Sequence, residues 1–289
     1  MTGLTDDLGG RPARLLFVHA HPDDETLATG VAIAHHVARG DDVHVLTCTL
    51  GEEGEVIPAH LAQLEGAAGD PLADHRRQEL AAAMALLGVS HHLLGAELPG
   101  DPTPYRDSGM AGSPAAAHPR AWAGIDLQLA ADAVREVVER IRPDVVVTYD
   151  ATGGYEHPDH VRTHAATCRA LADAAVPARL YAALTPRSWA IEDRVWLSRH
   201  VPGSEGWVVP GEGDPFPSSV VDDEQVTHHV VDPTVVPSQE AALRCHETQV
   251  VVGDGWYALS NHVVTRLAGR EGYAVLDPRT GRPRQEAPE

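Results

Sequence analysis

Two stretches of this chain share one pattern, in which an apolar run is followed at once by histidines and aspartates around a proline. An apolar run bounded by polar signals predicts a buried strand. The first run covers residues 14–18, and the polar residues after it are His19, His21, Asp23, Asp24 and Glu25. The second run covers residues 144–149, and a loop with two glycines leads from it to His157, Asp159 and His160. The repetition limits the fold to one that brings two strand ends together.

Open α/β sheets place their ligands outside the carboxyl ends of the strands. A catalytic zinc ion needs three protein ligands and one open position, and imidazole and carboxylate groups suit it. We therefore predict that two strands of one sheet bring His21, Asp24 and His160 together on one metal ion. Taken alone, the first cluster could also be a polar turn in which Asp23 or Asp24 caps a helix. The second cluster favours the metal site.

The order of the predicted elements indicates the α/β class. Helical spacing at 26–39, 72–87, 125–141 and 159–174 alternates with predicted strands at 42–49, 89–94, 144–149 and 179–184. We predict a Rossmann-like, mostly parallel sheet flanked by helices over residues 1–185. A smaller α+β part over 186–289 is expected to pack on this core and to contribute to a substrate pocket, within a single domain overall.

Other parts of the chain carry weaker signals. Residues 95–123 are predicted to be a long irregular stretch, either a functional lid or a disordered insertion, and the pattern weakens after residue 185. An edge strand at 226–231 and helices at 233–246 and about 256–267 are expected. The Pro- and Arg-rich tail after Asp277 is expected to be disordered. His35 and His36 lie along the first helix, away from its beginning, and are expected to be surface or supporting histidines. His164 is expected to pack behind the site.

Charge and composition exclude several function classes. The 289 residues carry a net charge of −20, which argues against binding to nucleic acid or to anionic membrane surfaces. All 22 basic residues are arginine, so a Schiff-base lysine and a P-loop lysine are excluded. The chain also lacks a G-x-S-x-G nucleophile motif. Hydrolytic chemistry would therefore come from a metal ion or from carboxylates.

Cysteine usage and the N-terminal residues bear on the compartment. The three cysteines, Cys48, Cys168 and Cys245, are far apart and predict free thiols in a reducing environment. Residues 1–12 are polar without an apolar signal core, and no apolar run approaches the length of a membrane span. A cytoplasmic protein is the expectation.

The motif Ala20-His-Pro-Asp-Asp-Glu25, together with His157-Pro-Asp-His160, resembles the LmbE-like (PIG-L) family of zinc-dependent N-deacetylases. Residues 47–57, 106–112 and 248–253 are similar to the branch that acts on N-acetylglucosaminyl-inositol in mycothiol biosynthesis. The resemblance implies Zn²⁺, or Fe²⁺ in some settings, on the three ligands already named. It also implies that Asp23 is the general base acting on the metal-bound water.

The resemblance implies roles for five further residues. His157 would be the general acid that protonates the leaving amine, and Asp159 would orient it. Tyr155 would polarise the amide carbonyl. Arg76 and Asp107 would bind hydroxyl groups of the sugar or inositol. The implied partner is therefore a small amino-sugar inositol substrate.

Two alternatives stay open at this point. One is the related mycothiol S-conjugate amidase, which performs the same chemistry on a larger acyl group. The other is a non-catalytic carbohydrate- or metal-binding protein of the same fold. The sequence does not predict the native metal or the oligomeric state. It also leaves open whether the acidic turn at 52–55 lines the site and whether Cys48 or His246 touches substrate.

Overall fold

The computed structural model describes residues 2–96, 103–201 and 206–284. Its main sheet has nine strands, of which five run parallel in the order β3-β2-β1-β4-β5. These strands are β1 (Arg14–His19), β2 (Asp42–Thr47), β3 (Ser90–Leu93), β4 (Val145–Thr148) and β5 (Arg179–Pro186). The predicted α/β class with a mostly parallel sheet is confirmed.

Antiparallel strands extend the sheet beyond β5. Strand β11 (Arg270–Asp277) pairs with β5, and both β7 (His228–Val231) and β12 (Arg282–Pro283) pair with β11. The short β6 (Val220–Val221) runs parallel to the end of β5. A separate antiparallel sheet contains β8 (Val251–Val252), β9 (Trp256–Ala258) and β10 (Val264–Arg266).

Helices cover both faces of the main sheet. The helices are α1 (Asp24–Ala38), α2 (Pro71–Leu87), α3 (Leu127–Ile141), the irregular turn α4 (Gly153–Glu156), α5 (Pro158–Asp173), α6 (Arg187–His200) and α7 (Val236–Leu243). Helices α1, α2 and α7 share one hydrophobic core with the sheet, and α3 and α5 share the other. A parallel sheet covered on both faces requires strands that are apolar throughout.

Strand β1 shows this requirement directly. Leu15 and Phe17 point into the core under α1 and α2, whereas Leu16 and Val18 point into the core under α3 and α5. All four side chains have no exposed surface. The uninterrupted apolar run that predicted this strand therefore reflects burial on both faces of the sheet. The run stops where the strand reaches the edge formed by the carboxyl ends of the strands.

The C-terminal third corrects several predictions. The helix expected at about 256–267 is wrong, because strands β9 and β10 occupy this range and are joined by a turn with His262 at φ 60°. The disordered tail expected after Asp277 is wrong as far as Arg284, because β12 forms a hairpin with β11. Residues 285–289 lie outside the described residues. Helix α6 and strand β11 were not predicted.

The other weak predictions are closer to the structure. Strand β7 lies inside the range expected for an edge strand, and α7 lies inside the range expected for a helix. The described part of the 95–123 loop contains two short 3₁₀ turns, at Pro114–Ala117 and Trp122–Gly124, and a bridge between Arg106 and Ala121. Residues 97–102 of that loop lie outside the described residues. Among the described residues, no helix is both long and apolar enough to cross a membrane.

Candidate active site

Both polar clusters lie at one edge of the sheet. Strands β1 and β4 are adjacent and parallel, with Leu16 opposite Val146, so their carboxyl ends meet. Helix α1 begins directly after β1, and helix α5 begins after the loop that follows β4. The first cluster therefore faces the second across a narrow gap, as the sequence predicted.

Three atoms of the kind that bind metal ions meet in this gap. His21 Nδ1 lies 3.2 Å from His160 Nε2, and each of these nitrogens lies 3.3 Å from Asp24 Oδ2. Tetrahedral zinc with bonds of about 2.0–2.1 Å holds its ligand atoms about 3.3–3.4 Å apart. The two nitrogens and the carboxylate oxygen thus form a triangle of the size that one metal ion requires.

Neighbouring groups fix which ring nitrogen faces the gap. His160 Nδ1 lies 3.0 Å from the carbonyl oxygen of Gly153, to which it donates, and His21 Nε2 lies 3.2 Å from Asp159 Oδ2. Each imidazole therefore carries its proton on the outer nitrogen and turns a lone pair inward. Outer partners of this kind are typical of metal-binding histidines.

Asp24 is held as firmly as the two imidazoles. Its Oδ2 accepts hydrogen bonds from the Tyr149 hydroxyl, at 2.7 Å, and from the backbone N–H of His21, at 2.9 Å. These two donors stabilise the carboxylate form of Asp24, which is the form that can bind a metal ion.

Two other groupings of ligand-type residues share His21, one with His157 and His160 and one with Asp107 and Asp159. Asp159 Oδ2 binds the outer nitrogen of His21, away from the gap, and its carboxylate also accepts the backbone N–H groups of Ser108 and Ala123 at 2.9 and 3.0 Å. His157 Nδ1 accepts the backbone N–H of Asp159 at 3.2 Å. The triangle with Asp24 is the grouping whose lone pairs all point at one another.

Asp23 lies beside the triangle in an unusual backbone conformation. Its φ is 104° and its ψ is −35°, a region that residues with a Cβ rarely adopt. Its side chain is buried, and burial together with the adjacent Asp24 raises its pKa well above the usual range. A buried carboxylate with a raised pKa, next to a metal site but outside it, suits a general base.

His157 and Tyr155 lie on the far side of the gap. The His157 ring centre is 4.7 Å from that of His21, and the Tyr155 ring centre is 5.0 Å from that of His160. Burial lowers the pKa of His157 to about 4. Because Nδ1 accepts a hydrogen bond, the neutral ring carries its proton on Nε2. Tyr155 is 52 % exposed and borders the opening.

Arg76 is buried and reaches the loop that follows β2. Its guanidinium donates to the carbonyl oxygens of Gly51 and Glu55, and its Nε donates to Thr248 Oγ1 at 3.3 Å. A Cβ added at Gly51 would lie 2.7 Å from Arg76 Nη1, and a Cβ added at Gly54 would overlap the same guanidinium. Arg76 therefore shapes the wall of the site through the backbone.

Asp107 and the acidic turn complete that wall. Asp107 Oδ1 lies 3.5 Å from His21 Nε2, and its other oxygen accepts the backbone N–H of Glu53 at 3.3 Å. Glu52 accepts the backbone N–H of Asp107 at 2.9 Å. Of the two interpretations of the turn at 52–55, the structure favours the one that places it beside the site.

Cys48 and the first-helix histidines are not arranged for chemistry. Cys48 is fully buried, and burial raises the pKa of its thiol to about 12. His35 and His36 pair with Asp232 and Asp41 at the far end of α1. His164 donates to the carbonyl oxygen of Tyr149 at 2.8 Å, and so supports β4 from behind as predicted.

Sequence reasoning missed one group that holds the site together and left two others open. The sequence places Tyr149 at the end of a strand, but its hydroxyl binds Asp24. Gln249 donates to the carbonyl oxygen of Pro22 at 2.8 Å, and His246 contacts Glu25 at 3.2 Å. The only sequence signal for the last two was a polar stretch before three valines, which fits a helix end equally well.

Comparisons with known proteins show the family of this chain. The family model described as PIG-L, GlcNAc-PI de-N-acetylase, matches residues 16–171. A protein of Mycolicibacterium smegmatis named 1D-myo-inositol 2-acetamido-2-deoxy-alpha-D-glucopyranoside deacetylase is 45% identical over 283 residues, which cover 93% of this chain and 91% of that protein. A protein of the same name from Rhodococcus erythropolis is 45% identical over 274 residues, with 91% and 90% covered.

A solved structure shows the same fold at lower identity. The N,N'-diacetylchitobiose deacetylase of Pyrococcus horikoshii aligns with a TM-score of 0.51 and 20% identity, covering 85% of this chain and 74% of that one. The family match ends at residue 171, whereas the relatives of higher identity extend over most of the C-terminal part as well.

Proposed function

The chain belongs to the PIG-L family of de-N-acetylases, and from this premise we propose that it hydrolyses the acetamide of N-acetylglucosaminyl-inositol to the free amine and acetate. The single observation that carries the proposal is the triangle of His21 Nδ1, Asp24 Oδ2 and His160 Nε2, with sides of 3.2–3.3 Å. The substrate follows from the name shared by relatives that are 45% identical over most of the chain.

The donor set fits Zn²⁺, and Fe²⁺ is also compatible with two imidazoles and one carboxylate. His21, Asp24 and His160 would hold the ion and leave a position open. A metal ion in such a site acts as a Lewis acid towards a carbonyl and lowers the pKa of a bound water molecule towards neutrality. The remaining steps depend on side chains of this chain.

Asp23 is the proposed base. Its carboxylate neighbours that of Asp24 and takes the proton of the attacking water, for which its raised pKa prepares it. The acetamide carbon then becomes tetrahedral, and its oxygen gains negative charge. Two donors at the opening, the Nε2–H of His157 and the hydroxyl of Tyr155, are available to stabilise that charge.

The leaving amine needs a proton before the C–N bond breaks. In the sequence-based proposal His157 supplies it, oriented by Asp159 through the backbone N–H of that residue. The neutral ring would give its Nε2–H to the amine, and Nδ1 would have to release the Asp159 N–H and take up the proton held by Asp23 for the ring to stay neutral. We propose that Arg76 and Asp107 shape the wall that receives sugar and inositol hydroxyls, with Arg76 acting mainly through the carbonyl groups it binds.

The test is amine release by metal-reconstituted protein. N-acetylglucosaminyl-inositol would be compared with a mycothiol S-conjugate, with a chelated sample as control. We expect chelator-sensitive turnover that favours the acetylated pseudodisaccharide. Preference for the conjugate would assign the chain to the amidase instead, and silence on both substrates with full metal loading would support a binding protein of the same fold.

A further inference from the structure

Glu25 and His246 form a buried pair directly behind the site. Both side chains have no exposed surface, and His246 Nε2 lies 3.2 Å from Glu25 Oε1. Glu25 follows the proposed ligand Asp24, whereas His246 comes from the segment after α7, 221 residues further along the chain. Neither residue belongs to the metal triangle. A carboxylate buried this completely requires a reason, because burying a charged group is costly.

The second oxygen of Glu25 suggests that reason. Glu25 Oε2 accepts the backbone N–H of Asp23 at 3.1 Å. On the other side of the same residue, the carbonyl oxygen of Asp23 accepts the backbone N–H groups of Thr26 and Leu27 at 3.0 and 2.9 Å. The backbone of Asp23, at φ 104°, is thus held from both directions. Such a conformation is unfavourable and persists only where its surroundings impose it.

His246 is itself held in place by the segment around it. Its neighbour Thr248 gives both its backbone N–H and its hydroxyl to the Glu79 carboxylate, at 2.8 and 2.7 Å. Val250 also donates its backbone N–H to the carbonyl oxygen of His246 at 2.9 Å. The C-terminal part therefore presents the imidazole to Glu25 from a rigid support on α2.

We propose that Glu25 and His246 are positioning residues that hold Asp23 in the conformation required of the base. His246 fixes the Glu25 carboxylate, and Glu25 fixes the Asp23 backbone through its N–H. The inference rests on the proposed function, because it takes Asp23 as the base. It also gives the C-terminal part a defined task at the reaction centre without requiring it to touch substrate.

Two variants of Glu25 separate this role from a purely electrostatic one. In Glu25→Gln the amide oxygen can still accept the Asp23 N–H, and its NH₂ can donate to His246 Nε2. His246 can then carry its proton on Nδ1, which makes no hydrogen bond to any residue that the structure describes. Glu25→Ala removes the acceptor altogether. We expect Glu25→Ala to lower kcat about 100-fold, with KM changed less than about threefold, and Glu25→Gln to retain most of the activity.

Readouts other than activity accompany these rates. Metal content is expected to stay at the wild-type value in both variants, because the triangle is intact. In a crystal structure of Glu25→Ala, we expect the φ of Asp23 to relax to a negative value. Should Glu25→Ala fail to fold, His246→Ala serves in its place, with an expected loss in kcat of about tenfold, since Glu25 Oε1 keeps the hydrogen bond from the Thr26 hydroxyl at 2.6 Å but loses the imidazole.

His36→Ala is the matched control. His36 is a buried histidine on α1 that binds a carboxylate, Asp41, at 2.7 Å, but it lies at the opposite end of the helix. A merely structural role for Glu25 and His246 predicts that all these variants behave like His36→Ala, with a lower Tm and an unchanged kcat per folded, metal-loaded molecule. That outcome would overturn the inference, as would equal losses in Glu25→Ala and Glu25→Gln.

The double variant Asp23→Ala/Glu25→Ala distinguishes this inference from the function on which it rests. If Glu25 acts through Asp23, adding Glu25→Ala to Asp23→Ala lowers kcat no further. Multiplied losses would refute the positioning role while leaving Asp23 as the base. Full turnover in Asp23→Ala alone would remove the base assignment and the inference with it.

Discussion

The two ends of helix α1 both bury histidines and carboxylates, yet they differ in how hydrogen-bond donors meet acceptors. At the end of the helix His36 Nδ1 lies 2.7 Å from Asp41, and His35 Nδ1 lies 2.8 Å from Asp232. Each contact pairs one N–H with one carboxylate oxygen. At the beginning, His21, Asp24 and His160 turn lone pairs towards one another.

The difference lies in the arrangement, since the residue types are the same. A donor paired with an acceptor satisfies a buried group and needs nothing more. Three acceptor atoms that converge repel one another until a cation binds between them. A buried polar cluster therefore indicates a metal site when its inner atoms are all acceptors and its outer nitrogens are already hydrogen-bonded.

Removal of one acceptor from the triangle should have the largest effect. In Asp24→Asn the carboxamide is a poor ligand, and its NH₂ would face the two imidazole lone pairs. We expect loss of bound metal and a fall in turnover of at least about 10³-fold. Metal analysis of the purified protein and an amine-release assay would measure both. Full metal content in this variant would show that another grouping around His21 holds the ion.

Removal of the proposed base should lower turnover less than Asp24→Asn and should leave the metal content unchanged. Asp23→Asn keeps the triangle, but its amide cannot accept a proton from water, so kcat should fall about 10²–10⁴-fold at unchanged metal content. The same two measurements apply. Loss of metal would contradict the assignment, because it would make Asp23 a ligand.

A substitution at the C-terminal end of α1 should affect stability and not turnover. His36→Ala leaves the buried Asp41 carboxylate without its imidazole partner, and we expect the free energy of unfolding to fall by about 1–3 kcal/mol. Chemical denaturation would measure this change, and kcat of the folded protein should stay at the wild-type value. A large loss of kcat would mean that the two ends of α1 are not independent.

The last expected effect is on the pH dependence of stability alone and concerns Glu271, which contacts the middle of α1. Its carboxylate accepts the backbone N–H groups of Val31 and Ala32, and burial raises its pKa to about 7. The folded state thus binds the proton more tightly than the unfolded state, whose glutamate has a pKa of about 4.3. This contribution to stability is complete at low pH and is lost as the pH rises through about 7.

Comparison of wild type with Glu271→Gln isolates this pH dependence. The difference in unfolding free energy between the two proteins should fall by up to about 1.4 kcal/mol per pH unit between about pH 4.5 and 7, and then level off. Denaturation at several pH values would provide it. A difference independent of pH would show that the three hydrogen bonds to this carboxylate, including that from Tyr273, keep it ionised throughout.

Local patterns carried most of the sequence-based prediction. The triangle was predictable because His21 and Asp24 lie within one turn, and because His160 follows the second of two strands with the same apolar signature. The fold of the parallel core was predictable for the same reason. The Glu25–His246 contact was not predictable, because the two residues are 221 positions apart and the local sequence around one contains no signal for the other.

The errors in the C-terminal part have a similar physical origin. Trp256, Leu259, Val263 and Leu267 are spaced as on one face of a helix, but their chain turns back at His262 and pairs as short strands. A strand of three residues is too short for its alternating apolar pattern to be recognised in the sequence. Strand β11 forms because β5 offers an antiparallel edge, which no local pattern records.

The position of Arg76 between two glycines has a consequence for the divergence of such chains. The guanidinium occupies the space that side chains at Gly51 and Gly54 would need. Substitutions at these three positions are therefore coupled to one another. Among distant relatives, we expect a residue larger than glycine at either loop position to occur together with a shorter side chain at position 76, so that covariation between the β2 loop and helix α2 would record this contact.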